Sequence, residues 1–418
     1  MTYREKMKRN LIIALGILFM FGIVMIYNKS DKFKVTAEDA KSYNIAEAKM
    51  KKKEKLQDFD YLYNILEKKY TFFEVNQKLN NEDWLKNKRR YRKLIKNTKS
   101  DAEFFVAMQR ILGELNDPNT HILSSEEFSR NYKAKFEELK REDALEYLAF
   151  YEALTSSYSM YRYQFNGDIE NIELYEKPNL ETKILEKDKT SYIKINAMAK
   201  GETLEEDMLK IKEFLKETKI YEKLIIDIRG NKGGSDNYWK NLVGTLTDKP
   251  LEASYYSLFK EGHRQDRNPY KVENARVIGE LDKDILDKLS EDIKEEYEYY
   301  KKYDIKLEPL EDEGFKGKIY LLVDRDVTAQ AENFASFAKD TGFAKLVGES
   351  TGGNRMLEET PLLELPNTKF VISYSRELSI NKDGSLNMQS KTQADIEVDA
   401  SIDEELNKDK TIEAVIKD

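Results

Sequence analysis

The sequence predicts an α/β protein: a mainly helical N-terminal region, then a mixed-sheet core, with an apolar helix at the start that anchors the chain in a membrane. Three observations predict it. Lys223–Ile228 (KLIIDI) and Ile319–Val323 (IYLLV) are aliphatic runs that each end in a polar turn, the pattern of strands buried on both faces of a parallel or mixed sheet. Between Leu56 and Leu115 the apolar residues recur at helical spacing instead. Leu11–Tyr27 is unbroken apolar sequence, ~26 Å long as a helix and at the short end for crossing a bilayer.

Composition narrows the function classes. The chain has 418 residues, 35% charged and 40% hydrophobic, which is globular and long enough for more than one domain. A net charge of −8 argues against a nucleic-acid partner, because phosphate backbones attract basic faces. Cysteine is absent, so there is no disulfide framework and no thiolate nucleophile. The two histidines, His121 and His263, are far apart in sequence, and no metal or other cofactor is expected.

Arg4, Lys6, Lys8 and Arg9 precede the apolar run, and no small-x-small cleavage site follows it in Asn28–Lys34. The reading is therefore an uncleaved anchor rather than a signal peptide. Residues 1–10 form a cytoplasmic tail, 11–27 the transmembrane anchor and 28–55 a charged juxtamembrane stalk, with the body outside the cell membrane.

Residues 56–185 read as the helical region. Phe59, Leu62, Ile65 and Leu66 share one helical face, and Phe104, Phe105, Met108, Ile111, Leu112 and Leu115 another. Ser100 followed by Glu103 marks a capping-box start. Phe136–Tyr163 is helical and aromatic, and Tyr147, Tyr151, Tyr158, Tyr161 and Tyr163 are expected to pack onto the core rather than line a groove. The core, 186–400, starts with a strand at Ser191–Asn196 and a helix over Met208–Leu215. A charged helical insertion spans about 282–303, either a lid or a solvated surface helix. Leu362–Ser375 makes a strand pair around Pro366-Asn367, and Thr411–Ile416 a short helix in the tail 401–418.

Two stretches carry chemistry. Gly230–Ser235 (GNKGGS) follows the first strand. It lacks the order of a phosphate-binding loop, since Lys232 precedes Gly233, and its glycines instead bare backbone N–H groups for an anionic oxygen or a peptide carbonyl. Val323–Gly353 is strand, tight turn, helix (about Gln330–Lys339), strand and glycine-rich loop. Such a turn can present a side chain beside the free amides of a helix start.

Together these stretches resemble the tail-specific (C-terminal processing) and tricorn-core serine peptidases. The resemblance rests on Asp227, Arg229, Asn231, Gly233 and Gly234, then Asp324, Arg325 and Glu332, then Val347, Gly348, Glu349, Thr351 and Gly353, and runs from about Asp58 to Val398. It implies a crotonase-like core, a peptide substrate, and an oxyanion hole formed by the backbone of Gly233, Gly234 and Gln330. No PDZ signature is evident before Ser191.

The sequence departs from the family where the chemistry lies. The nucleophile position, three residues before Glu332, is Ala329, and a methyl group cannot attack a carbonyl. The base position in Leu115–Leu123 (LNDPNTHIL) is Asn119. His121 lies two residues on, ~7 Å away along a strand and displaced from the role. In the branch that uses lysine as base, the position is Asn354, with Arg355 beside it, and neither can take a proton. Lys232 and Ala394 are smaller departures. The expectation is a peptide- or protein-binding pseudopeptidase. An active peptidase with a non-standard nucleophile or base, and a purely structural envelope protein, are the alternatives.

Overall fold

The computed structural model describes residues 35–141, 152–175, 178–260, 272–403 and 405–418. The apolar run Leu11–Tyr27, the start of the stalk, Tyr147, Tyr151 and His263 lie outside the described residues. Among the described residues no helix is long and apolar enough to cross a membrane.

The N-terminal region is helical, as its periodicity predicts: α1 (Lys52–Lys69), α2 (Phe73–Asn80), α3 (Lys88–Asn97), α4 (Asp101–Gly113) and α5 (Ser125–Arg141). Ser100 caps α4, its hydroxyl accepting the Glu103 N–H at 3.0 Å, while Glu103 reaches back to the Lys99 N–H at 2.7 Å. Phe59, Leu62 and Leu66 of α1 and Phe104, Met108, Ile111 and Leu112 of α4 are buried together. Tyr163 joins that core, but Tyr158 and Tyr161 are exposed, contrary to the packing expected of them. They lie on a short helix, Ser157–Arg162, which has room to bury only one side.

The strands in chain order are β1 (His121–Ile122), β2 (Leu180–Glu186), β3 (Thr190–Ile195), β4 (Lys223–Asp227), β5 (Leu251–Phe259), β6 (Arg276–Val277), β7 (Tyr299–Leu307), β8 (Lys318–Val323), β9 (Lys345–Gly348), β10 (Leu362–Glu364), β11 (Val371–Ser373), β12 (Leu378–Ile380) and β13 (Ile396–Glu397). They build three sheets. The central one has the order β13-β9-β8-β4-β3-β2, parallel except for the antiparallel β2–β3 edge. It is the mixed sheet the aliphatic runs predict, with β4 and β8 in the middle. Leu224 and Ile226 of β4 face a core shared with α6 (Gly201–Thr218), α7 (Asp236–Leu246) and α8 (Ala329–Thr341). Ile225 faces the other side, against Ile412 and Val415 of α9 (Lys410–Lys417). Burial on both faces is what lets Leu224, Ile225 and Ile226 follow one another in β4 without alternation.

The helical insertion read over 282–303 is only partly helical. Short helices at Lys283–Leu286 and Glu291–Glu296 give way to β7, which pairs antiparallel with β5 along its whole length. The reason is an alternation hidden by the charge. Lys302, Asp304 and Lys306 point to solvent while Ile305 turns inward, and strand β5 supplies the partner that a helix would not need.

Candidate active site

The site is built where β4 and β8 end side by side in the middle of the sheet, Asp227 opposite Leu322. Each strand stops at its polar turn, and the two turns are tied together. The Gly230 N–H donates to Asp324 Oδ1 (3.0 Å), and the Thr328 N–H to the Asn231 carbonyl (3.3 Å). Asp324 also accepts from the Asp326 N–H, which tightens the turn before α8.

Thr328 is extended and precedes α8, and Ala329, the first helical residue, has φ +53°. A non-glycine residue in the left-handed region is strained by about 1–2 kcal/mol. That geometry is the strand-to-helix elbow that lifts a nucleophile out of a sheet. Here it lifts a methyl group.

The glycine turn lies against this elbow. A Cβ on Gly233 (φ +96°) would come 2.8 Å from the Gln330 amide nitrogen and 2.9 Å from Ala329 Cβ. One on Gly234 (φ +137°) would strike the Met198 carbonyl at 2.2 Å. Only glycine fits either place. Both N–H groups are in use: Gly233 donates to Asn231 Oδ1 (2.9 Å) and Gly234 to Gln330 Oε1 (3.0 Å). The side-chain amide of Gln330 thus occupies the Gly234 N–H. No sequence signal marks that contact.

Two further loops close the site. Thr328 bridges Gly353, and Asn354 Nδ2 reaches Asp117 Oδ1 at 3.5 Å, so the lysine-branch position meets the loop that carries Asn119. Asp117 is buried and also holds the Asn119 N–H (3.0 Å) and the Thr120 hydroxyl (2.6 Å). Burial outweighs those hydrogen bonds and raises its carboxyl above the usual range. Asn119 Nδ2 is buried with no acceptor, while its carbonyl accepts from Ser373 Oγ. His121 turns to Glu127 instead, 3.4 Å away.

That pair predicts a pH signature. Burial works against charge on both groups, but each partner outweighs it. Glu127 is held down to about 2, and His121 is raised above its ordinary value. The carboxylate's contribution is present above ~4.3 and fades as pH falls toward its folded value. The imidazolium's is present below ~6.5 and is lost as pH rises through its raised folded value. Both side chains are about a third exposed, so the pair is worth at most ~1 kcal/mol. Glu127→Gln should return the His121 titration, followed by NMR, toward ~6.5. It should also lower stability most between pH ~4.5 and ~6.5, and an unmoved His121 would contradict the pairing.

Glu332 sits one turn into α8 and is fully buried. It accepts from Thr392 Oγ1 (2.7 Å) and Asn387 Nδ2 (2.8 Å), yet burial prevails and raises its carboxyl toward the neutral form. Behind the glycine turn, Arg229 is clamped between Asp227 (2.6 Å) and Asp409 (2.9 Å), and Lys194 stands 3.3 Å from Asp227. Burial raises Asp227, but the Arg229 hydrogen bonds and the Lys194 charge overcome it and hold the carboxyl below its usual range.

Two strand-end turns, a positive-φ elbow and an amide cradle beside it define a peptidase-type site of the α/β class. The profile of peptidase family S41 matches residues 189–398, half of the chain, and that of the tricorn protease C1 domain matches 51–113. The chain belongs to peptidase family S41, the group of the tail-specific proteases. No curated protein matches it by sequence. Among solved structures it is similar to a protein of Parabacteroides merdae assigned to the peptidases, at 18% identity and TM-score 0.55 over 87% of this chain and 96% of that one. It is also similar to mature CPAF complexed with lactacystin, at 14% identity and TM-score 0.52 over 83% and 94%. At these identities the likeness is one of fold.

Proposed function

We propose that this chain is a membrane-tethered, cell-surface member of the S41 family that binds extended peptide or unfolded protein segments and hydrolyses them slowly or not at all. Ala329 carries the reading. The elbow retains its strained backbone, a cost usually kept for function, but presents no nucleophile. Asn119, at the base position, cannot take a proton. Two nearby hydroxyls are engaged: Ser235 accepts from the Asn237 N–H at the start of α7, and Ser336 is buried against Thr392. The glycine turn and the Gln330 amide remain as recognition hardware for a peptide carbonyl. The basic residues before Leu11–Tyr27 support a cytoplasmic N-terminus and an outer body.

The purified full-length protein, treated with a fluorophosphonate and mapped by mass spectrometry, should carry no label and should leave unfolded casein intact while retaining labelled peptides. A label on one serine or threonine would overturn the reading in favour of an active enzyme. Retention of no peptide would favour a structural role.

Gln330 gives a graded test. A peptide carbonyl reaching the Gly234 N–H must displace Gln330 Oε1. A net hydrogen bond is worth ~0.5–1.5 kcal/mol, so Gln330→Ala should tighten peptide binding about 2–10-fold. Fluorescence anisotropy reads this directly, and weaker binding would show that Gln330 contacts the peptide itself.

A further inference from the structure

The buried arginines among the described residues are Arg162, Arg229, Arg355 and Arg376. Arg162 meets Asp101 at 2.8 Å, Arg229 meets Asp227 and Asp409, and Arg376 meets Glu358 at 3.4 Å. Arg355, 3% exposed, meets no carboxylate at ion-pair distance among the described residues. Its Nη2 donates to Asn381 Oδ1 (2.6 Å) and, at 3.4 Å, to Ser336 Oγ, whereas Nε and Nη1 have no acceptor. The Tyr255 ring, 4.3 Å from the guanidinium, compensates in part. Glu332 reaches it only through Ser336, 3.4 Å from each, and burial holds that carboxyl toward its neutral form. A guanidinium keeps its proton, and a buried one without a counter-charge is strongly unfavourable.

Asp340 and Glu377 act on Arg355 only through space, and the counter-charge it lacks in contact has a place to sit. Arg355 lines a cleft of ≈ 400 Å³. Lys382, Lys391, Ser385, Ser390 and Thr392 line it too, and so does Lys339, itself paired with Asp395. Two carboxylates also line it. Asp383 is tied to the Ser385 N–H and hydroxyl, and neither Asp383 nor Asp340 is paired with Arg355. The cations outnumber them. The hydroxyls of Ser385, Ser390 and Thr392 already donate to Asp383, to the Leu386 carbonyl and to Glu332, so the donors left for a ligand are Arg355 Nε and Nη1 with the ammonium groups of Lys382 and Lys391, brought to one cleft from three separate segments of the chain.

We propose that this cleft binds a phosphate-like oxyanion, free or carried on a small organic molecule, with Arg355 as its buried anchor. The ligand would brace the C-terminal half of α8 against the 390–393 loop.

The test uses the full-length protein in phosphate- and sulfate-free buffer. About 5 mM inorganic phosphate should raise the melting temperature by ~2–4 °C, and phosphoserine should do likewise. Equal responses would assign the site to free phosphate, and a stronger phosphoserine response to a phosphorylated organic ligand. Arg355→Met should abolish the shift and, without phosphate, melt no lower than the natural protein, because it removes an uncompensated charge. Should that variant fail to fold, Lys382→Glu/Lys391→Glu at the rim should weaken phosphate binding at least ~10-fold by calorimetry while leaving the phosphate-free melting temperature in place. The proposal is overturned if neither anion at about 20 mM gives a thermal shift or a heat of binding, or if Arg355→Met keeps the shift.

Discussion

The Ala329→Ser/Asn119→His double variant is expected to acquire covalent serine chemistry that Ala329→Ser alone displays only faintly. The backbone for it exists. Position 329 holds φ +53° without a catalytic side chain, so a serine there inherits the elbow at little extra strain. Its oxygen would leave the same Cβ that faces the Gly233 turn, beside the Gln330 amide. What the single change lacks is a base. Serine at its ordinary acidity is a poor nucleophile, and a positioned base contributes about 10²–10⁴-fold. Asn119 is the place for it: Asp117 fixes its backbone through the N–H, and its Nδ2 is buried without an acceptor. Fluorophosphonate labelling mapped to position 329, followed by casein hydrolysis, reads both steps. Full activity from Ala329→Ser alone would mean that another group serves as base. A folded double variant that takes no label would mean that position 119 does not come within the ~3 Å that proton transfer needs.

The parts of this molecule that are local in sequence were legible in it. β4 and β8 announce themselves because burial on both faces demands unbroken aliphatic runs, and the glycines after β4 stand where only glycine fits. Ser100 names the start of α4 because the capping hydrogen bond is made within three residues. β7 was hidden because its alternation is written in Lys, Asp and Tyr over a stretch that also suits a helix, and its partner residues in β5 lie 40 to 56 positions earlier in the chain. Tyr158 and Tyr161 misled because an aromatic cluster shows mass but not direction. In the site, positions 329 and 119 could be marked from motif order. The Gln330 contact with Gly234, the bridge from Asn354 to Asp117 and the clamp on Arg229 join residues far apart in the chain, and only the fold brings them together.

The clamp carries the largest stability effect expected here. Asp409→Ala should cost ~3–5 kcal/mol. Arg229 has a fully buried side chain and needs both Asp227 and Asp409, and removing one leaves a guanidinium half-compensated where water cannot reach. The Asp409 carboxylate also caps α9, accepting the Thr411 N–H at 3.0 Å and the Ile412 N–H at 3.3 Å, a further ~1 kcal/mol. Asp409→Asn separates the two roles, because an amide oxygen can still cap the helix but brings no charge, so it should recover the cap alone. The effect should reach the site, since Arg229 leads directly into Gly230 and its guanidinium donates to the Ala400 carbonyl (3.2 Å), tying the glycine turn to the chain beyond β13. Peptide binding should therefore weaken with stability in Asp409→Ala. Because Asp227 lies below its usual range, the clamp's contribution is present above pH ~3.9 and fades as pH falls through the folded value. Urea unfolding at pH 7 should show the Asp409→Ala penalty, and the natural protein should lose stability between pH 7 and pH 3 as Asp227 begins to take up a proton. A penalty under about 1 kcal/mol at pH 7 would mean that Arg229 finds another partner, and that the glycine turn is held without the clamp.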